Sequence, residues 1–400
     1  MLTFRVIAKD GEARSGVIET PHGTIHTPAF VTVGTLASVK TLSPRDLRDL
    51  GTQVIIANTY HLHLQPGEDI IAGAGGLHKF MGWSGPLMTD SGGFQIFSHG
   101  AGKEHGVGKI ASIFPEEPDR GGHLRQKTGK SLVTVNEEGV DFVSYLDGSR
   151  HRFTPETVIQ IQAKLGADII LPLDECTSPL HDRGYTRVAM ERTHQWALRA
   201  LEAFHRYGGP HQSLFGIVQG GAFEDLRKES AAFIQEHGFS GFAIGGSLGR
   251  SKHDMHNVLE WTVPHLPEER PRHLLGIGEV EDIFEAVKRG VDTFDCVAPT
   301  RMARTGTLLV SGYPRHRMHI LNSRFRTDYG PIEEDCPCYT CSNFSRAYLR
   351  HLFAAKEPSA MMLATIHNLS FIERLMGEIR SAIAHGSFQD LMDMWTCQET

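Results

Sequence analysis

Cysteine is scarce in this chain, six in 400 residues, which speaks against a disulfide-stapled extracellular scaffold. No apolar run reaches the length of a membrane-spanning helix. The opening MLTFRVIAKDGEARSG has no basic stretch ahead of an apolar core, so no secretory signal is expected and the cytoplasm is the expected setting. There is no short repeat, low-complexity tract or heptad array. What remains, 40% hydrophobic and 22% charged residues, is the composition of a globular protein with a sizeable core. The length suits two or three domains, or one large α/β barrel with an insertion.

Acidic residues are missing from one place. Cys296 to Thr327 contains no Asp or Glu but carries Arg301, Arg304, Arg315, Arg317, Arg324 and Arg326, with His316 and His319 among them. The net charge of −7 argues weakly against a nucleic-acid partner. Distribution outweighs the sum, however, and this stretch reads either as a solvated basic face or as a phosphate-binding surface.

The few cysteines are unevenly spread. Cys336, Cys338 and Cys341 fall within six residues, and twenty-five residues separate Cys341 from His367. Three thiolates and an imidazole fill the tetrahedral shell of a closed zinc site. The competing reading is a disulfide or unconnected thiols. Pro337-Cys338-x-x-Cys341 also matches half of the zinc-deaminase signature. The other half, H-x-E, is absent from the chain, and four protein ligands leave no position for a catalytic water.

Eight short apolar runs recur along the chain: Ala29–Val33, Val54–Ala57, Pro86–Thr89, Asp168–Leu173, Leu214–Val218, Phe242–Gly245, His273–Ile277 and Thr293–Val297. Such runs suit strands buried on both faces of a parallel sheet. Ser43-Pro44 and Thr154-Pro155 read as helix N-caps followed by proline in the first turn. Further helices are expected over Tyr185–Tyr207, Phe223–His237 and Asp282–Arg289, each closing on glycine. Eight strand–helix units predict an α/β fold, a (β/α)8 TIM barrel, with an open doubly wound sheet as runner-up. Residues 1–28 read as an N-terminal antiparallel sheet and 29–303 as the barrel body. Residues 304–367 read as a zinc-binding subdomain inserted after strand 8, and 368–400 as a helical segment completing the barrel. Gly100 to Lys130 lacks any period and reads as a long loop insertion.

Active sites of such barrels lie at the C-terminal strand ends. Asp90, Asp174 and Asp295 each sit where an apolar run stops. One acid there reads as a turn cap; three on separate strands converge on one mouth. Paired carboxylates are the standard apparatus for breaking a glycosidic bond. Gln219 and the neighbouring glycines supply groups that read the edge of a planar polar ligand, and Phe94 can stack on its face.

Asp90-Ser91-Gly92-Gly93-Phe94-Gln95, Asp174-Glu175-Cys176, Gly216-Ile217-Val218-Gln219-Gly220-Gly221, Ala243-Ile244-Gly245-Gly246, Phe294-Asp295-Cys296-Val297 with Pro299-Thr300-Arg301, and the Cys336/Cys338/Cys341/His367 set occur together and in order. This combination resembles the tRNA-guanine transglycosylases of the bacterial and eukaryotic queuosine branch, from about Phe4 to His385. The resemblance implies a zinc-bearing barrel that replaces guanine at the tRNA wobble position with a 7-deazaguanine base, preQ1 or queuine. It implies Asp295 as nucleophile and Asp90 as general acid/base. Ser91, Asp174, Gln219 and Gly246 match base-recognition positions and Phe94 the stacking position. It also implies a structural zinc, tRNA contacts for the six arginines, and a homodimer. Ser247-Leu248-Gly249-Arg250 departs from the Leu-Ala-Val-Gly-Glu typical of bacterial members, in a segment bordering the pocket for the base's 7-substituent. Residues 100–130 are a second departure, since bacterial members are shorter there. The rivals are a non-catalytic tRNA-binding paralogue, which the presence of Asp90 and Asp295 disfavours, and a transglycosylase acting elsewhere in tRNA or on DNA.

Overall fold

The computed structural model describes residues 2–97, 133–246 and 248–396. Eight parallel strands close into a barrel: β4 (Ala29–Val33), β5 (Ile55–Asn58), β6 (Leu87–Asp90), β10 (Ile169–Ile170), β11 (Ser213–Val218), β12 (Gly241–Ile244), β13 (Arg272–Leu274) and β14 (Thr293–Asp295). Every one lies on an expected apolar run, and β14 pairs back onto β4 to complete the closure. β5 and β11 are buried along their whole length, which is why these runs show no polar alternation.

Before the barrel, β1 (Thr3–Asp10), β2 (Ala13–Thr20) and β3 (Gly23–Thr27) form the expected antiparallel sheet. Ile18 and Ile25 of this sheet join Val31, Ile56, Met88 and Phe215 in the barrel's interior cluster, so the sheet plugs one end. Arg14 fastens it there. Its guanidinium donates to both Asp292 carboxylate oxygens, at 2.9 and 2.5 Å, and to the Glu268 and Arg270 carbonyls. Asp168, just before β10, is a second fastening. Its oxygens lie 2.6 Å from His22 Nδ1 and 3.4 Å from His78 Nε2, and the two imidazoles stack 3.6 Å apart. Burial alone would raise this carboxyl, but hydrogen bonds from His78, His22 and the Leu87 amide hold it below the usual carboxylate range.

The capped helices form as their sequences dictate. Ser43 and Thr154 each accept from the backbone amide three residues on, with proline in the first turn, at the starts of Pro44–Asp49 and Pro155–Leu165. Asp182 caps Arg183–Tyr207, two residues ahead of the expected start. Among the described residues no helix is long and apolar enough to cross a membrane.

Several elements differ from the sequence reading or were absent from it. β7 (Val133–Asn136), β8 (Gly139–Val143) and β9 (Arg150–Phe153) form an antiparallel sheet between β6 and β10. Lys252–Thr262 is a helix with a capping box at Ser251. Pro358–His385 is a 28-residue helix that packs on β1, β2 and β4 and crosses the 367/368 division drawn from sequence. The subdomain before it carries a two-stranded sheet, β15 (Thr307–Leu309) with β16 (Arg317–His319). The 100–130 insertion lies outside the described residues.

Candidate active site and metal centre

The strand ends deliver their polar residues to one mouth. Asp90 ends β6 and is gripped from β5: Asn58 Nδ2 donates to its Oδ2 at 2.6 Å, and the Thr59 amide to its Oδ1 at 3.2 Å. The Gly92 amide also reaches Oδ1 at 3.2 Å, and the Thr59 hydroxyl donates to the Asp90 carbonyl. Burial pushes the Asp90 carboxyl up to about 7, against the lowering effect of these bonds, with the charge of Asp295 adding to the rise. An acid poised there both gives and takes protons near neutrality.

Asp295 ends β14. Its Oδ1 accepts from the Gly276 amide at 3.1 Å and lies 3.3 Å from His273 Nε2. His273 is fully buried, and its Nδ1 lies 2.9 Å from Thr293 Oγ1. The Asp295 carboxylate is thus fixed on one side and 17% exposed on the other, a geometry suited to an attacking group.

Asp174, after β10, is joined to two neighbours. Ser91 Oγ donates to Oδ1 at 3.1 Å and Gln219 Nε2 to Oδ2 at 2.6 Å. Burial raises this carboxyl to about 6 despite both bonds. Among the described residues Gln219 Oε1 is buried and accepts no hydrogen bond, leaving an acceptor for a ligand donor. Gly246 presses against this amide: with φ +73°, a Cβ there would stand 1.9 Å from Gln219 Oε1, so no other residue fits. Gly92 is similarly placed, at φ +80° and against Tyr60. Phe94 is 48% exposed, as the expected stacking role requires.

Ser91, Asp174 and Gln219, with Gly246 against them, thus form one hydrogen-bonded group, while Asp90 and Asp295 are linked by charge. Glu175 does not join them: it is buried, accepts from Tyr185 Oη at 2.7 Å and pairs with Arg192. Cys176 and Cys296 behave as packing groups. Burial raises both thiols, Cys296 to about 12, far from a thiolate nucleophile at neutral pH. Asn58, Thr59, His273 and Gly276 were missed in the sequence. Only Asn58-Thr59 carried a signal, as polar residues closing an apolar run.

The arginines divide. Arg301 and Arg304 lie on Ala298–Arg304, the helix leaving β14 at the mouth, with Arg301 exposed. Arg315 is exposed in a turn at φ +52°. Arg324 and Arg326 are exposed on Ser323–Thr327, Arg324 lying over the rings of Phe325 and Tyr313. Arg317 pairs with Glu279, so acid absent from the stretch in sequence is supplied in space.

Cys336, Cys338, Cys341 and His367 converge in a buried cluster. His367 Nδ1 lies 3.8, 3.8 and 3.3 Å from the three sulfurs, and its Nε2 is 2.7 Å from the Leu309 carbonyl. That carbonyl accepts a hydrogen bond from Nε2–H and leaves Nδ1 as the ligating nitrogen. The separations are those of ligands around a tetrahedral ion, and the set fits a structural zinc. The cysteines come from the inserted segment and His367 from Pro358–His385, so the metal ties subdomain to barrel helix. No disulfide occurs among the described residues.

The fold and site together define a barrel enzyme with a carboxylate centre at its mouth and a separate metal staple. A family model described as queuine tRNA-ribosyltransferase matches residues 9–113 and 119–399. A chain from Archaeoglobus fulgidus is 51% identical over 98% of this chain and 99% of its own. Queuine tRNA-ribosyltransferases from Herpetosiphon aurantiacus and Roseiflexus are 48% and 47% identical, each over 98% of this chain and over 91% and 99% of their own lengths. The chain belongs to the queuine tRNA-ribosyltransferase family, a family of pentosyltransferases.

Proposed function

We propose that this protein acts on tRNA in the cytoplasm, exchanging guanine at the wobble position for a 7-deazaguanine base through a covalent Asp295–ribose intermediate. The observation that carries the reading is the pairing of Asp90 and Asp295 at the ends of β6 and β14, beside the Ser91–Asp174–Gln219 group. In the first step an Asp295 oxygen attacks the ribose C1′ while the bond to guanine N9 breaks. The electron pair goes to the base, and Asp90 supplies the proton that lets it leave. In the second step Asp90 takes the N9 proton of the incoming base, which attacks C1′ and frees the Asp295 carboxylate. Two displacements leave the configuration at C1′ retained. The target base must first leave its stack. Ser91, Asp174, Gln219 and the backbone at Gly246 then read its edge, and Phe94 stacks on its face.

The six arginines are assigned to tRNA phosphates, with Arg301 and Arg304 nearest the reaction. For the incoming base, preQ1 is the first reading. Queuine is the second, favoured by a cavity of about 230 Å³ lined by Ser178, Gly221, Gly249, Arg250 and Asp254. It lies on the same loops as Gln219 and Gly246 and has room for a bulky 7-substituent. Competition between the two bases at limiting tRNA decides. Efficient use of preQ1 alone removes queuine, and preference for queuine removes preQ1. Incorporation of neither removes the exchange reading.

Residues 304–367 act as an inserted zinc-binding unit, and a second copy of the chain is its expected partner. Support comes from an open hollow of about 610 Å³ beside Cys341, walled by Tyr329, Phe344 and Tyr348, with Tyr329 80% exposed. The zinc supplies folding free energy, about 10 kcal/mol or more for sites of this type. Stripping it with a strong chelator is therefore expected to open residues 336–367 to protease and to end activity in step. Fast, reversible loss of exchange in a fully protected protein would instead mark a catalytic metal.

A further inference from the structure

Arg227 lies in the first turn of the helix Glu224–Gln235 and is fully buried. Its guanidinium is spread over the ends of two barrel strands. Nε donates to the Gly221 carbonyl at 2.6 Å, Nη1 to Val218 at 3.0 Å and Nη2 to Gly245 at 3.0 Å. Val218 and Gly221 bracket Gln219, and Gly245 directly precedes Gly246. One rigid, planar cation therefore spans the two loops that carry Gln219 and Gly246.

The same helix holds Gln219 at a second point. Ser230 Oγ accepts from the Gln219 backbone N–H at 3.1 Å and lies 2.9 Å from His194 Nε2. Gly220, at φ +127°, sits so close to the start of this helix that a Cβ would meet the Arg227 backbone nitrogen at 2.9 Å. The loop after β11 is thus seated on the helix rather than free above it.

Burying a guanidinium is costly, and neutral carbonyl dipoles offset only part of that cost. Burial lowers the Arg227 guanidinium to about 9. A leucine would fill the volume without that penalty. What it would not do is supply three fixed donors where the β11–β12 ladder ends. Gly246 packs so tightly on the Gln219 amide that even a small separation of the two strand ends would spoil both.

We propose that Arg227 is a positioning residue for base recognition: it sets the distance between the Gln219 amide and the Gly246 backbone, and so the affinity for the planar, purine-like base. This rests on the reading that these two residues face the base. Lysine keeps the charge but offers one nitrogen in place of a fork, so it cannot span three carbonyls.

The test is the guanine-exchange reaction of the full-length protein with tRNA, comparing wild type, Arg227→Lys and Ser230→Ala. Arg227→Lys is expected to raise KM for free guanine about tenfold or more, with KM for tRNA within about twofold and kcat within about threefold. Ser230→Ala, which removes the second tether together with the His194 contact, is expected to raise KM for guanine about threefold; it stands as the sole test if Arg227→Lys does not fold. A purely structural role would lower the melting temperature and the active fraction and leave KM for guanine unchanged. That result, in whichever variants fold, overturns the proposal. A wild type that exchanges no guanine would instead overturn the proposed function.

Discussion

Asp295→Asn is expected to lower guanine exchange by about 10⁴-fold or more while changing the tRNA Kd by less than about threefold. The amide is nearly isosteric, and its oxygen can still accept from the Gly276 amide that now fixes Oδ1. The variant should therefore keep the mouth's shape. What it loses is the anionic oxygen that attacks C1′, and a carboxamide is no substitute nucleophile. Without a covalent route only water or the incoming base attacking directly remains, and neither has a prepositioned partner. Exchange of labelled guanine, read beside filter binding of tRNA, separates the two effects. A weakened Kd with retained exchange would make Asp295 a binding residue instead.

Asp90→Asn is expected to cost about 10²–10⁴ in kcat, the usual worth of a general acid/base, and to change the pH profile. The wild-type carboxyl, raised to about 7 by burial, with Asp295 adding to the rise, must be protonated in one half-reaction and ionised in the other. Exchange should peak near neutrality and fall on both sides; the residual activity of the variant should lack the inflection near 7. Stability carries an independent signature. Because the folded carboxyl holds its proton to about 7 and the unfolded one loses it near 4, the folded state is favoured below that window. It loses stability as pH rises from about 4 to about 7. The loss is of order 4 kcal/mol, and Asp90→Asn should remove it, leaving the variant the more stable protein above pH 7. Unfolding midpoints at pH 5 and pH 8 for both proteins provide the check.

The architecture was legible in the sequence wherever burial on two faces forced an unbroken apolar run. Val54–Ala57 and Leu214–Val218 are examples, and both appear as barrel strands. Local chemistry was equally legible: Ser43 and Thr154 announce helix starts, and the Cys336, Cys338, Cys341 and His367 spacing announces a metal shell. The three acids stood out because each ended a run. What stayed hidden is made through space. Asn58 holds Asp90 across 32 positions, and His273 stands beside Asp295 because β13 and β14 are neighbours. Arg227 looks like any charged residue of a surface helix until the helix is laid against the barrel. The sheet of β7, β8 and β9 escaped because its strands are short and partly exposed. The 367/368 division follows the last metal ligand in the sequence. A metal ligand looks like the end of a metal-binding unit, whereas His367 sits mid-helix on an element that packs on the barrel.

The proposed exchange turns on one bond, the ester between an Asp295 oxygen and the ribose C1′. Quenching the wild-type protein during turnover with tRNA, digesting both partners and mapping the ribonucleotide-bearing peptide by mass spectrometry tests it directly. The prediction is a single adduct on the peptide containing Thr293–Asp295, depleted when the incoming base is supplied in excess and absent in Asp295→Asn. An adduct mapped to Asp90 or Asp174, or one that survives in Asp295→Asn, would contradict it.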